Sequence, residues 1–97
     1  MNTKAYGLIH FHPGGTKEQY DATIAAVHPD GRLPQGQIFH AAGASPGGWT
    51  VVIVHDSKES WDELNNTVLT PRMRAGIEGG FNDPPQETVI EISTLLP

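Results

Sequence analysis

The 97-residue sequence predicts a single α+β domain with the element order β-α-β-β-α-β. Two windows show the three- and four-residue spacing of amphipathic helices, and four show the alternation or β-branched composition of strands. Segments rich in glycine and proline separate these windows, as expected of turns and loops. A chain of this length has little stability to spare and gains from covering apolar surface with a second copy. We therefore expect one domain over residues 1–97.

The N-terminal part predicts a strand followed by a helix. Alternation over residues 4–12 places Ala5, Gly7, Ile9 and Phe11 on one face and Tyr6, Leu8, His10 and His12 on the other. Pro13-Gly14-Gly15 ends the strand, and Thr16 is expected to cap a helix over residues 17–27. Residues 28–36 contain two prolines and two glycines and are predicted to form a loop.

The middle of the chain predicts a hairpin of two strands, residues 37–43 and 49–55, joined by a turn in ASPGG. The run WTVVIVH is continuously apolar and β-branched, which predicts a central strand covered on both faces.

A second helix and a last strand complete the expected elements. Asp56 is expected to cap the helix, with Glu59 completing a capping box. Its buried stripe is predicted to contain Trp61, Leu64, Val68 and Leu69. Thr70-Pro71 predicts a fresh helical start, and residues 87–92 alternate as the last strand.

Right-handed crossovers between these elements predict a ferredoxin-like fold. We expect a four-stranded antiparallel sheet of order 4-1-3-2 with both helices on one face. The other face would then be bare, and we expect it to carry Leu8, Val51 and Ile90 or their neighbours. Apolar residues on a bare face favour a homodimer in which a second copy covers that face.

Composition excludes several functional classes. The net charge of −5 argues against a nucleic-acid partner, which requires a basic patch. The chain has no cysteine, so disulfides, thiolate metal sites and cysteine nucleophiles are excluded. No segment approaches the roughly 20 apolar residues of a membrane span, and the N-terminal twelve residues do not have the pattern of a signal peptide. We expect a cytoplasmic protein that binds a small hydrophobic molecule.

Four segments together resemble one known family: HPGGTKEQYDATIAAVHP, LPQGQIFHAAG, GGWTVVIVHDSKESWDEL and GIEGGFNDPP. They are similar to the small dimeric α/β-barrel proteins related to antibiotic biosynthesis monooxygenases, closest to a bacterial branch without an assigned activity. The most specific parts are the Gly-Gly-Thr opening of the first helix and the Gly-Trp…Asp-Ser…Trp run. The resemblance implies two sheets packed face to face across a twofold axis, with a pocket in each subunit.

The resemblance implies several activities, because the family includes cofactor-free oxygenases of aromatic polyketides, lactone isomerases and haem-degrading enzymes. The haem branch places an iron-binding histidine on the second helix, and residues 57–76 contain no histidine. The Gly-Gly pairs do not fit a nucleotide-binding pattern. We therefore expect no cofactor.

The segment HFH raises the question of a metal site, because His10 and His12 lie on the same face of a strand. A complete site requires a third protein ligand. The predicted topology divides the five histidines between opposite ends of the sheet. We therefore expect no metal. For His12, a hydrogen bond to a carbonyl at the strand end is at least as good an interpretation as a metal ligand.

Acid–base chemistry is the alternative for these histidines. Burial favours the neutral imidazole that accepts a proton near pH 7, and His10, His12 and His40 are the candidate catalytic residues. His40 is expected on the open face if Phe39 packs under the helices. The candidate substrate-binding residues are Tyr6, Leu8, Trp49 and Arg72. The competing interpretation is that His10 only satisfies hydrogen bonds at the dimer interface.

Two functions remain open from the sequence. One is a small cofactor-independent enzyme, an oxygenase or an isomerase, acting on a hydrophobic aromatic or enolisable metabolite with His10 as the base. The other is a non-catalytic dimeric module that binds a small molecule or is associated with stress.

Overall fold

The computed structural model describes residues 4–28 and 30–96 and confirms the α+β fold with two helical segments beside one antiparallel sheet. Its strands are β1 (Tyr6–Pro13), β2 (Gln37–Ser45), β3 (Gly48–His55) and β4 (Gln86–Glu91). Its helices are α1 (Lys17–Val27), α2 (Lys58–Leu64) and α3 (Thr70–Ala75), with a π-helical turn (Asn65–Leu69) between the last two. The strand order is β2-β3-β1-β4, which is the predicted order read from the opposite edge.

Two sequence predictions reach beyond the described residues. The predicted loop 28–36 includes Pro29, and the N-terminal twelve residues include residues 1–3. Pro29 and residues 1–3 lie outside the described part of the chain. Within the described part, no helix has the length and apolar character needed to cross a membrane.

Helix α1 begins as the sequence predicts. The hydroxyl oxygen of Thr16 accepts a hydrogen bond from the Gln19 backbone N–H at 3.1 Å. The Gln19 side chain accepts from the Thr16 backbone N–H at 3.0 Å, which completes a capping box. These two bonds fix the start of α1 directly after the Pro13-Gly14-Gly15 turn.

Helix α2 begins one residue later than predicted. Ser57, not Asp56, is the N-cap, and its hydroxyl oxygen accepts from the Ser60 backbone N–H at 3.1 Å. The Asp56 N–H is bonded to the Gly36 carbonyl, which holds Asp56 at the end of β3. The third helical residue is therefore Ser60, so the capping box expected with Glu59 does not form.

The fresh helical start predicted at Thr70 is also wrong. Leu69 and Thr70 have helical dihedral angles, and the Thr70 N–H bonds to the Asn65 carbonyl five residues back. Because Pro71 has no N–H to donate, a wider π-turn ahead of it lets the helix continue without a break. The chain from Lys58 to Ala75 is thus continuously helical.

Two of the three residues predicted on the open face of the sheet lie on the helix-covered face instead. Leu8 and Val51 lie under the helices, where they form a buried core with Trp61 and Leu64. Only Ile90 lies on the open face as expected, paired with Gly7 across β1 and β4. Alternation separates the residues of a strand into two sets, but it does not say which set the helices will cover.

A β-bulge in β2 reverses the prediction for His40. Gln37 pairs with His55 and Phe39 pairs with Val54, so one extra residue is inserted between them. Phe39 is 48% exposed on the open face, and His40 lies under the helices. The bulge also directs Gln37 and His40, three residues apart, to the same side of the sheet.

Candidate functional site

A cavity of about 620 Å³ lies between the helices and the sheet. Its walls are mainly apolar and include Ile24, Val51, Ile53, Trp61, Leu69 and Met73. The π-helical turn contributes Asn65 and Leu69, and the loop before β4 contributes Phe81. This size and polarity suit a small organic molecule with a few polar groups.

Four of the five histidines line this cavity, which corrects the prediction that they do not converge: His10, His12, His28 and His40. His55 is fully buried behind them and contacts the Trp61 ring, with ring centroids 5.4 Å apart. The helix-covered face carries all the strand histidines, because the register directs alternate residues of β1 and β3 and the bulged β2 toward the helices.

His10 is paired with a carboxylate. Its Nε2 lies 2.8 Å from Oε2 of Glu87, its direct cross-strand partner on β4. The His10 side chain is 13% exposed and the Glu87 side chain 45% exposed. The imidazole also packs edge-on against the Trp61 ring, with centroids 5.7 Å apart. Because Glu87 holds Nε2, Nδ1 is the ring nitrogen left for a ligand.

His12 is a stacked, uncharged histidine. Its ring lies parallel to that of Phe81, with centroids 3.6 Å apart and planes 7° apart. Burial, together with the neighbouring charge of His10, lowers the pKa of His12 to about 4. At neutral pH its imidazole is therefore unprotonated, and it is a weak base.

His40 belongs to a hydrogen-bonded group at another part of the cavity wall. Its Nε2 lies 2.6 Å from the Tyr20 hydroxyl, and its Nδ1 lies 2.8 Å from Oε1 of Gln37. Burial, with a smaller contribution from His28, lowers the pKa of His40. Burial, with a contribution from Asp21, raises the pKa of Tyr20. Both groups are therefore neutral near pH 7.

The four candidate substrate-binding residues of the sequence analysis do not line the cavity. Leu8 is 1% exposed within the core, and Trp49 is buried beside Tyr20 with ring centroids 5.3 Å apart. Tyr6 packs against the core, and Arg72 is exposed on α3, where Arg74 lines the cavity instead.

Several lining residues were missed by sequence reasoning. Glu87 was available from the predicted strand order, since β1 and β4 are neighbours, but the register that places it opposite His10 was not. Tyr20 lies at four- and three-residue spacing with Ile24 and Val27, so the sequence pattern predicts an apolar contact on α1 and does not single out its hydroxyl. The position of Gln37 in the cavity wall depends on the bulge in β2, and the sequence contains no signal for that bulge.

The described residues contain no group of three His, Asp or Glu side chains arranged to hold a metal ion. His10 and His12 share a strand face, but each ring is engaged separately, His10 with Glu87 and His12 with Phe81. The chemistry that this arrangement supports is proton transfer and hydrogen bonding by imidazoles.

Comparison with known proteins gave no match to a family model, to a curated protein or to a solved structure. The fold defines an α+β domain with a helix-covered cavity and an open sheet face. Membership of the dimeric α/β-barrel family stays a prediction that rests on the four sequence segments quoted above.

Proposed function

We propose that this protein is a small cofactor-independent enzyme of the monooxygenase-like dimeric α/β-barrel type. Its substrate is a hydrophobic aromatic or enolisable metabolite bound in the cavity, and His10 is the general base. The observation that carries the proposal is the His10–Glu87 pair in the wall of a mainly apolar cavity. The net charge of −5 is consistent with a small-molecule partner and not a nucleic acid.

The pair has the arrangement that base catalysis needs. A carboxylate that accepts from one imidazole nitrogen orients the ring and stabilises the imidazolium formed when the other nitrogen takes a proton. An apolar wall that includes Trp61 excludes water around the substrate. Removal of a proton from an enolisable substrate gives a carbanion or enolate. That anion either reacts with molecular oxygen, as in an oxygenase, or is reprotonated at another atom, as in an isomerase.

The open sheet face supports the homodimer in this proposal. Phe39 and Ile90 are 48% and 39% exposed there, beside the half-buried Ile9, Phe11 and Val52. Such a contiguous apolar face is typical of a surface that another chain covers. We propose that a second copy packs its own sheet on this face.

Exchange of carbon-bound protons tests the base directly and does not depend on the identity of the natural substrate. With 2-tetralone in D2O, we expect the protein to accelerate deuterium incorporation at C1, measured by NMR. His10→Ala and Glu87→Gln should both slow exchange, His10→Ala by about 100-fold or more. The matched control is Glu91→Gln, because Glu91 lies on the same strand outside the cavity lining and should keep the wild-type rate. Oxygen uptake measured in parallel separates an oxygenase from an isomerase.

A second candidate function is the non-catalytic binding module, which the hydrogen bonds at both ring nitrogens of His40 favour. Binding of 2-tetralone without exchange above that of free imidazole, and equal binding by His10→Ala, would establish that module and reject the enzyme. Exchange that is unchanged in His10→Ala would reject His10 as the base.

A further inference from the structure

A chain of hydrogen bonds connects the fully buried end of β3 with the cavity wall. It begins at Ser60, whose Oγ lies 2.9 Å from Nδ1 of His55, and continues from His55 Nε2 to Gln37 Nε2 at 3.2 Å. Gln37 Oε1 then lies 2.8 Å from Nδ1 of His40, and His40 Nε2 lies 2.6 Å from the Tyr20 hydroxyl. His55 is fully buried and Gln37 is 6% exposed, so water cannot replace these partners.

The direction of these bonds follows from the Gln37 amide, whose nitrogen can only donate and whose oxygen can only accept. Its nitrogen faces His55 Nε2, so the neutral His55 ring carries its hydrogen on Nδ1 and donates it to the Ser60 oxygen. The Ser60 hydroxyl then donates its own hydrogen to the Ser57 carbonyl at 3.1 Å. Because burial lowers the pKa of His55, the ring is neutral near pH 7, and its Nε2 has only a lone pair.

The hydrogen-bond directions continue from His55 to the cavity wall. The lone pair of His55 Nε2 needs a donor, and the amide nitrogen of Gln37 supplies one. The Gln37 oxygen then faces His40 and accepts from its Nδ1, so the neutral His40 also has only a lone pair on Nε2. The Tyr20 hydroxyl must donate its hydrogen to that nitrogen.

We propose that the Tyr20 oxygen is a hydrogen-bond acceptor in the cavity and selects ligands that present a hydroxyl or N–H donor, such as a phenol or an enol. This inference rests on the proposed function, since it assumes that the cavity binds a ligand. Tyr20 has one hydrogen, which His40 holds, so only its oxygen lone pairs remain for a ligand. A carbonyl or ether oxygen at the same place would meet lone pairs and find no donor.

Gln37, His55 and Ser60 are positioning residues in this arrangement. His55 and Ser60 lie outside the cavity lining, and Gln37 lies in the wall with both ends of its amide engaged. Together they fix the tautomer of His40 and thereby the direction in which the Tyr20 hydroxyl points. The β-bulge in β2 is essential, because only an inserted residue lets Gln37 bond to both His40 on its own strand and His55 on the neighbouring strand.

A pair of probes that differ only in a hydrogen-bond donor tests the inference. We expect 1-naphthol to bind about tenfold more tightly than 1-methoxynaphthalene in calorimetric titrations, the size expected for one buried hydrogen bond. Tyr20→Phe keeps the ring that packs on Trp49 and should remove the preference. The matched control is Tyr6→Phe, the other tyrosine of the chain, which lies outside the cavity lining and should keep the preference.

The outcomes distinguish this inference from the proposed function. Equal binding of the two probes to the wild-type protein, or an unchanged preference in Tyr20→Phe, would overturn the acceptor role of Tyr20 and leave the cavity as a ligand site. Failure of both probes to bind would reject the apolar ligand cavity, and the inference with it.

The tautomers provide a second test that needs no ligand. Long-range ¹H–¹⁵N correlation spectra of the ¹⁵N-histidine-labelled protein at pH 7 should show His40 and His55 with the hydrogen on Nδ1. Ser60→Ala removes the acceptor of the His55 hydrogen and should change the His55 nitrogen shifts. A hydrogen on Nε2 of His40 would refute the proposal, because the Tyr20 hydroxyl would then be free to donate to the ligand.

Discussion

The two faces of the sheet are built from alternate residues of the same four strands, yet they differ in almost every chemical property. The helix-covered face contains the buried core and the imidazoles of His10, His12, His40 and His55. The open face has no histidine among its described strand residues and exposes Phe39 and Ile90. The period of two along a strand thus separates a face that lines a cavity from a face that exposes apolar side chains.

The helices account for this difference. Imidazoles under α1 and α2 lose water and gain fixed partners, and burial lowers the pKa of His12, His40 and His55. Apolar side chains on the open face keep water contact unless a second chain removes it. Burial under the helices of the same chain therefore lowers the histidine pKa values of one face. We propose that burial against a second chain stabilises the other face.

The largest expected effect is on the core of the helix-covered face. Trp61→Ala should lower the free energy of unfolding by about 3–5 kcal/mol, because Trp61 is 5% exposed and joins α2 to the sheet. Phe39→Ala, on the open face, should lower it by less than about 1 kcal/mol when both variants are measured below the dissociation constant of the proposed dimer, where no second chain covers Phe39. Urea unfolding followed by circular dichroism measures both values, and equal losses would remove the energetic distinction between the two faces.

The next effect concerns association through the open face. Ile90→Asp would bury a carboxylate without a partner, so the dissociation constant of the proposed dimer should rise about 100-fold or more. Light scattering should show the mass falling from twice the chain mass of 10.5 kDa to one chain mass. Leu33→Asp is the matched control, because Leu33 is 47% exposed in the loop before β2 and belongs to none of the four strands. A wild-type protein of one chain mass would contradict the dimer.

The smallest expected effect is a pH dependence of the free energy of unfolding, caused by the buried histidines of the helix-covered face. The pKa of His12 is about 4 in the folded chain against 6.5 unfolded, so the unfolded chain binds more protons between these values. The contribution of His12 to the free energy of unfolding should be fully present above about pH 6.5 and should fall as the pH drops toward 4. The slope should stay below about 1.4 kcal/mol per pH unit for this group, because solvent reaches part of the ring.

Urea midpoints at pH 7 and pH 5 measure this decline. His12→Phe keeps a ring stacked on Phe81 and removes one titrating group, so its midpoint should change less between the two pH values. His28, His40 and His55 have pKa values lowered by burial and contribute in the same direction. A wild-type midpoint that rises on acidification would contradict the assignment of neutral buried imidazoles.

Much of the fold was predictable because it depends on local signals. The Thr16 cap and the bounds of α1 follow from neighbouring residues, and the strand order follows from crossover handedness. The predictions that failed were those in which a local signal competed with its surroundings. Asp56 is a good cap, but its N–H is bonded to Gly36, and Thr70-Pro71 resembles a helix start, but a π-turn carries the helix through it.

The candidate site was predictable only in part. The residue type alone predicts His10, His12 and His40 as candidates, and all three line the cavity. Their catalytic role stays a prediction. Strand position or charge predicts four substrate-binding residues, and none of them lines the cavity: Tyr6, Leu8, Trp49 and Arg72. Glu87 and Gln37 were missed because register and bulges depend on how whole strands pair, which a window of sequence does not contain.

By itself, the sequence determined the main elements, their order and the two sets of residues that alternate along the strands outside the bulge of β2. These features depend on dihedral preferences and on spacing between near neighbours. The tertiary structure decided which set the helices cover, and therefore whether His10 and His40 face a cavity or a second chain. That choice depends on the packing of Trp61 and Leu64 against Leu8 and Val51. These contacts join residues far apart in the chain, and no local pattern encodes them.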